Sequence, residues 1–415
     1  MLSPGVTVAQ DFEAVLRAPD DATLNIEYAR AAVRQGELAI AASTLERVLI
    51  NDPDRHGVRL FYAVVLYRLG DLQNAREQLR RLDAAPLTAA QRAEATAYSA
   101  RIARAERATS VSGRLTAGLS YEQDAAGAYQ TAFDLIGAPD EEDGLSSEIS
   151  LSLDARRTLG PRGDVSLYGR GFLFDHTRLS GASVDFQRLD AEAGLRRDTR
   201  LTQAEAGVFV QHIRLEGEPQ LTEVGLRADG RYRASNVLTV SGRLEVADQS
   251  YDEPQIDAVA SFLGGDRGGE RYLVGAGASL AATPRTTVSL GLDYTIKAAG
   301  YAPFGYEGPR LALGVQQRFD RGVWSSASVA VRWLDYDGAD TFFLSGAVRS
   351  DTRTTARIAV GAPLAAFVSD GVVGDVRDRL GVEAAATYGR RDSNAPLADF
   401  DGLGAELRLI WRFGS

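Results

Sequence analysis

The 415-residue chain has no cysteine, a single methionine and only three histidines. Without cysteine there is no disulfide, no thiolate metal site and no cysteine nucleophile; the absence suits an oxidising cell envelope, where stray thiols pair wrongly. Long apolar runs are missing too. No stretch approaches the roughly 18 to 20 consecutive apolar residues that a membrane-spanning helix requires, which excludes a helical membrane protein. Positive charge is in deficit, with 46 Lys and Arg against 56 Asp and Glu. The resulting net charge of -10 has the wrong sign for a surface that neutralises phosphates, so no nucleic-acid partner is expected. What is present is 45% hydrophobic and 25% charged residues, enough for a sizeable core divided between two units.

From about Asp11 to Arg107, apolar residues recur at intervals of three and four, the helical period, in a background of Ala, Leu and Arg. Gly36 and Gly70 lie 34 residues apart, as do Ala41 and Ala75, and Leu45 and Leu79. That period marks the tetratricopeptide repeat, in which small residues let paired helices approach and a proline closes each unit. Pro53 and Pro86 fall near the closing positions. The pattern predicts two repeats and a closing helix at about Thr88–Ala105, forming a helical domain over residues 1–108. It would serve either as a docking surface for a periplasmic partner or as a plain folded spacer.

After Ser110 the period drops to two. In 287–297, Val288, Leu290, Leu292, Tyr294 and Ile296 alternate with Ser289, Asp293, Thr295 and Lys297. The same division sets Ile149, Leu151 and Leu153 against Glu148 and Asp154, and Leu189 to Leu195 against Arg188, Asp190 and Glu192. Further on, Leu226 and Tyr232 oppose Arg227, Asp229 and Arg231, while Leu244 and Val246 oppose Arg243 and Glu245. Alternation alone also fits a soluble antiparallel sheet. The dense mixed charge of the polar face decides against that: a dry sandwich core does not tolerate it, whereas a wet lumen does. These charged residues are therefore lumen-lining candidates. Tight segments such as Asp198-Thr199-Arg200, Ala234-Ser235-Asn236 and Thr283-Pro284-Arg285 alternate with long ones at 123–144 and 251–269, as periplasmic turns and outer loops do.

The last strand, Leu403 to Phe413, sets Leu407, Leu409, Trp411 and Phe413 outward and Glu406, Arg408, Ile410 and Arg412 inward. It ends on an aromatic residue, the form of signal that a barrel-assembly machinery reads in bacteria. The fold expected is α+β in two domains: helical repeats, then a transmembrane antiparallel barrel of about fourteen strands over residues 109–413, surrounded by outer-membrane lipid. With both ends of the barrel in the periplasm the strand count must be even. Val323–Trp333, Phe342–Val348 and Ala356–Ala362 then supply two strands, with Phe342–Val348 read as an extension or part of an outer loop. No leader segment precedes Leu2, so the chain reads as a mature form with an added Met1, and Gly414-Ser415 as an added tail.

Chemistry is scarce. His176 and His212 fall near the outer rim, where a serine neighbour would make a hydrolase; both read as bystanders, and no enzymatic activity is expected. His56 reads as an exposed helix-start residue. The acidic run Asp140–Asp143 has no spaced ligand pattern, and Gly264-Gly265 with Gly268-Gly269 lacks the lysine and helix of a phosphate loop, so no metal or cofactor is expected.

The repeat segment VRLFYAVVLYRLGDLQNAREQLRRL at Val58–Leu82, and YGRRDSNAPLADF at Tyr388–Phe400 before the final strand, resemble the surface lipoprotein assembly modulators, the Slam family. Ser393 and Asn394 stand where that family has a Ser-Asn loop. The resemblance implies a translocon that carries lipoproteins or related cargo from the periplasm to the cell surface without a cofactor or energy source. Two alternatives stay open: a polysaccharide export barrel with a periplasmic scaffold, and a passive porin.

Overall fold

The computed structural model describes residues 15, 17–18, 20–105, 109–125, 128, 142–159, 164–252, 267–340, 347–367, 379–395 and 398–414. The chain divides into two compact units, Met1–Ala108 and Thr109–Ser415.

The first unit holds α1 (Ala22–Gln35), α2 (Leu38–Asn51), α3 (His56–Leu69), α4 (Leu72–Arg80) and α5 (Ala89–Ala105). The Asp21 side chain accepts from the Thr23 and Leu24 amides and caps α1. Gly36 and Gly70 end α1 and α3 in the left-handed conformation, with φ of 85° and 83°, which is why the 34-residue spacing marks glycine at these turns. The other repeat positions form the core: Ala41, Leu45 and Ala75 are fully buried and Leu79 nearly so. Arg59, also buried, donates at 2.7 Å both to Gln78 on α4 and to the Pro53 carbonyl, tying the second helix pair to the turn before it. Burial, with Arg81 nearby, pulls the pKa of Arg59 below the usual arginine value. His56 opens α3 half-buried rather than exposed.

The second unit is a closed antiparallel barrel: β1 (Thr109–Glu122), β2 (Gly144–Leu159), β3 (Val165–Gly181), β4 (Phe186–Asp198), β5 (Thr202–Leu215), β6 (Glu218–Arg233), β7 (Leu238–Tyr251), β8 (Gly269–Ala281), β9 (Thr286–Ala299), β10 (Tyr306–Arg318), β11 (Trp324–Asp340), β12 (Ala347–Pro363), β13 (Leu380–Ser393) and β14 (Phe400–Gly414). Each strand pairs with its neighbours in sequence, and β1 closes on β14 from Ser112↔Gly414 to Glu122↔Gly404. The stretch that offered three segments yields two strands. Ala347 and Val348 open β12, and 341–346 lie outside the described residues.

The connections depart from a clean division into short and long. At the end where β1 begins, those between β4 and β5, β6 and β7, β8 and β9, and β10 and β11 are tight, but β12 and β13 are separated by residues 364–379. At the other end, β5 turns into β6 through Glu216-Gly217 alone, both at positive φ, within a hairpin that sequence alternation does not distinguish from its longer neighbours.

Candidate functional site

A closed sheet has two faces, and period-two alternation assigns each residue to one of them. One face carries exposed apolar side chains, among them Ile149, Leu226, Leu290, Ile358, Leu403 and Leu407. The other carries charged side chains, many of them buried or half-buried, and some reach strands two positions away. Arg271 on β8 bonds Glu223 on β6, and Arg408 on β14 bonds Glu148 on β2. Only the concave side of a closed barrel brings such residues together, so this charged face lines the interior.

Across β3 to β8 the interior is a continuous network of paired charge. Glu192 accepts from Tyr168 at 2.5 Å and from Arg227 at 2.8 Å. Arg227 also holds Glu245 at 2.7 Å, and Arg271 reaches Glu245 at 3.0 Å. Arg170 bonds Glu205 at 2.6 Å and lies 3.6 Å from Asp154. Arg188 pairs with Asp190, and Arg243 with Asp229, each at 2.8 Å. Every carboxylate of this chain of contacts faces at least one guanidinium, the condition under which half-buried charge is tolerable.

A second network crosses the closure of the barrel. Arg357 on β12 holds Glu383 on β13 at 2.5 Å and Glu406 on β14 at 2.8 Å. Arg408 on β14 bonds Glu406 at 3.2 Å and Glu148 on β2 at 2.9 Å. Gly118 of β1 is in register with both Arg408 and Glu148 and lies between them. A β-carbon there would meet the Leu407 carbonyl at 2.5 Å and Arg408 Cγ at 2.9 Å, so glycine is what lets the ion pair pass over the first strand.

The wall from β9 to β13 is different. Asp293, Arg310, Arg332, Arg353 and Arg391 are successive cross-strand partners, which puts arginine beside arginine on four adjacent strands. Arg310 pairs with Asp293 at 3.1 Å. Asp351, its side chain wholly buried, is held by Arg349 at 2.6 Å and Arg353 at 3.0 Å.

Of the charged positions singled out from the sequence, Lys297 is buried with Nζ 3.3 Å from the Tyr251 hydroxyl. Arg231 and Arg412 are exposed and enter no ion pair among the described residues. Sequence reasoning passed over Arg170, Glu205, Arg271 and the arginines of β10 to β13. The spacing Arg349-x-Asp351-x-Arg353 carries the same two-residue period and is the signal that finds those of β12.

The histidines divide. His176 meets Ser183 Oγ at 3.0 Å from Nε2 and Glu148 at 3.6 Å from Nδ1, a Ser-His-Glu order; but Ser183 is buried and bonded to Ser146, and Glu148 is engaged by Arg408. Ser183 therefore presents no accessible hydroxyl. His212 meets Thr222 at 2.9 Å. Asn394 accepts from the Ser350 amide at 2.9 Å and donates to the Val348 carbonyl at 2.8 Å, while Ser393 accepts from the Ala395 amide; this Ser-Asn pair pins the β13–β14 connection to the start of β12. Of the acidic run, Asp140 and Glu141 lie outside the described residues, and Asp143 accepts from the Tyr121 hydroxyl at 2.5 Å. Gly264-Gly265 also lies outside them, while Gly269 opens β8. No group of His, Asp and Glu among the described residues is placed to hold a metal ion.

Two interior cavities are bordered by these walls. One, of about 600 Å³, is bordered by Arg170, Glu192, Glu223, Arg271, Tyr306 and Arg332. The other, of about 510 Å³, lies against β10 to β14, where Ala312, Ser328, Thr355, Thr387, Gly389 and Gly404 leave room.

Residues 165–364, from β3 into the connection after β12, match the family model of the surface lipoprotein assembly modifier, and residues 27–89 match a tetratricopeptide repeat model. Among solved structures, the chain is similar to the outer membrane protein OprD from Pseudomonas aeruginosa (9% identity, 74% of this chain and 94% of that one, TM-score 0.35) and to the outer membrane channel DcaP of Acinetobacter baumannii (11%, 74% and 97%, TM-score 0.42). The helical part is similar to the first tetratricopeptide repeat of Spaghetti (RPAP3), at 19% identity over 24% of this chain and 75% of that one, with a TM-score of 0.21. No curated protein matches the sequence.

Proposed function

The chain belongs to the surface lipoprotein assembly modifier family and is a barrel of the outer membrane, and from that premise we propose that it is a translocon delivering lipoproteins or related protein cargo from the periplasm to the cell surface. In this reading the helical repeats stand in the periplasm and take up cargo, and the barrel supplies the polar route. The observation that carries it is the interior itself, a closed wall of charged and small side chains around open cavities, on one chain with a repeat fold suited to binding polypeptide. A passive porin has no use for the repeats. The outward aromatic end of β14, with the Trp411 and Phe413 rings tilted against each other at 5.1 Å between centroids, would be the feature read by a barrel-assembly machinery.

Deleting the gene and shaving intact cells with protease, with mass spectrometry of the released peptides, tests the reading. Loss of one or a few surface proteins, restored by the full chain but not by a chain lacking residues 1–108, is the expected result. Unchanged surface proteins with lost surface glycan would instead favour export of polysaccharide.

Cargo could pass along the lumen or between β1 and β14. Ala117 and Leu409 are Cα partners across that closure, and the chain has no other thiol to interfere. Oxidising the Ala117→Cys/Leu409→Cys pair is expected to stop cargo exposure if the closure opens. Intact export with the disulfide formed would assign passage to the lumen.

A further inference from the structure

We propose that the arginine row of β10 to β13 is a binding site for carboxylate side chains of an extended acidic polypeptide, with Arg332 as its centre. The proposal rests on the translocon reading and names the chemistry of the segment that the lumen receives.

Like charges placed directly opposite on neighbouring strands repel, and a sheet selected for stability alone has no reason to put arginine at four consecutive cross-strand positions. Arg310 and Arg353 at least have Asp293 and Asp351 as partners, and Arg391 donates to the Ala398 carbonyl. Arg332, flanked by Arg310 and Arg353, makes no hydrogen bond or ion pair with any described residue. This contrasts with the β3 to β8 wall, where Arg170, Arg227 and Arg271 each serve two or more carboxylates.

Arg332 is also accessible from the interior, because it borders the cavity of about 600 Å³. A planar guanidinium with free N–H donors in a half-buried, water-filled space takes an oxyanion in bidentate fashion, and neighbouring cations add to the attraction. Carboxylate and phosphate share that chemistry. The length of the row favours a polypeptide: four adjacent strands span roughly 14 Å at the usual interstrand spacing. An extended chain places alternate side chains roughly 7 Å apart, so several carboxylates could meet the row together, whereas one phosphate would use a single position. Arg310, at one end of the row, borders the second cavity, where the small residues of β10 to β14 leave further room.

The test uses the full chain in a zwitterionic detergent at low salt, with hexaglutamate and inorganic phosphate as separate probes, read by calorimetry and by the temperature of barrel unfolding. The net charge of -10 repels hexaglutamate in general, so binding reports a local site. Hexaglutamate is expected to bind and raise the unfolding temperature. Arg332→Gln is expected to weaken that binding roughly tenfold to a hundredfold, the range for a lost charged hydrogen bond. The unliganded variant should be at least as heat-resistant as the parent, since one repelling charge leaves the row; that separates loss of a site from loss of the fold. Arg231→Gln, an interior arginine outside the row, should leave binding unchanged.

Binding of phosphate without hexaglutamate would overturn the polypeptide assignment. Equal hexaglutamate affinity in the parent and in Arg332→Gln would overturn the site. If Arg332→Gln loses hexaglutamate binding yet exports cargo normally, the row is an anion site and cargo is not its occupant. A gene deletion that leaves surface proteins unchanged sinks the translocon reading alone, whatever the titration shows.

Discussion

The helical unit and the barrel put the same residue types to opposite uses. In the first, Leu45 and Leu79 are buried and charge lies mostly outside. In the second, Leu290 and Leu407 are exposed on the outer face while Glu192, Glu245 and Asp351 are shielded inside. One unit is held together by excluding water from its centre. The other is closed by backbone pairing around a polar centre, with lipid taking up its apolar face. Leucine at a given position therefore says nothing about burial until the period around it is known. A single change can have different consequences in the two units for that reason.

The largest effect is expected from opening the charged interior where the barrel closes. Arg408→Ala leaves Glu148 without a guanidinium and should cost about 3 to 5 kcal/mol, the range for breaking a shielded ion pair. It would be read as a fall in the temperature at which the barrel unfolds on a denaturing gel. Adding Glu148→Gln should restore much of the loss; failure to do so would show that the loss does not come from leaving Glu148 unpaired.

Leu45→Ala, in the fully packed helical core, should cost about 2 to 5 kcal/mol through the cavity it leaves. Circular dichroism at 222 nm would record the helical unit melting early while barrel unfolding stays unchanged. Simultaneous loss of both transitions would contradict the division into two units.

Gly118→Ala tests whether the first strand needs glycine beneath the Arg408–Glu148 pair. With its β-carbon forced against β14, the substitution should cost about 1 to 3 kcal/mol. The same change at Gly230, where nothing lies within 4 Å, is the control. The smallest effect belongs to the lipid face: Leu290→Ala removes apolar area without leaving a packed cavity and should cost no more than about 1.5 kcal/mol. A loss equal to that of Leu45→Ala would mean that the outer face packs against protein.

Much of the architecture is legible in local pattern. The 34-residue recurrence of Gly36/Gly70, Ala41/Ala75 and Leu45/Leu79 specifies the paired helices because each position has a steric duty that recurs with the repeat. Near Ser110 the change of period from 3.6 to two marks where strands begin, and an even count settles the ambiguous stretch before residue 370 as two strands. The long β12–β13 connection and the two-residue β5–β6 turn were not legible, since alternation reports on strands and not on the segments joining them.

The sequence by itself determined the helical repeats, a barrel of about fourteen antiparallel strands and the alternation of apolar and polar side chains along them, because helical and strand periods are local properties of the backbone. Only the tertiary structure decided which charges meet. Arg408 and Glu148 are 260 residues apart and face each other because the barrel closes. Arg310, Arg332, Arg353 and Arg391 form a row only because the registers of three strand pairs coincide. Register is set by pairing along whole strands and by closure of the sheet, and a shift of two residues would keep every face while exchanging every partner.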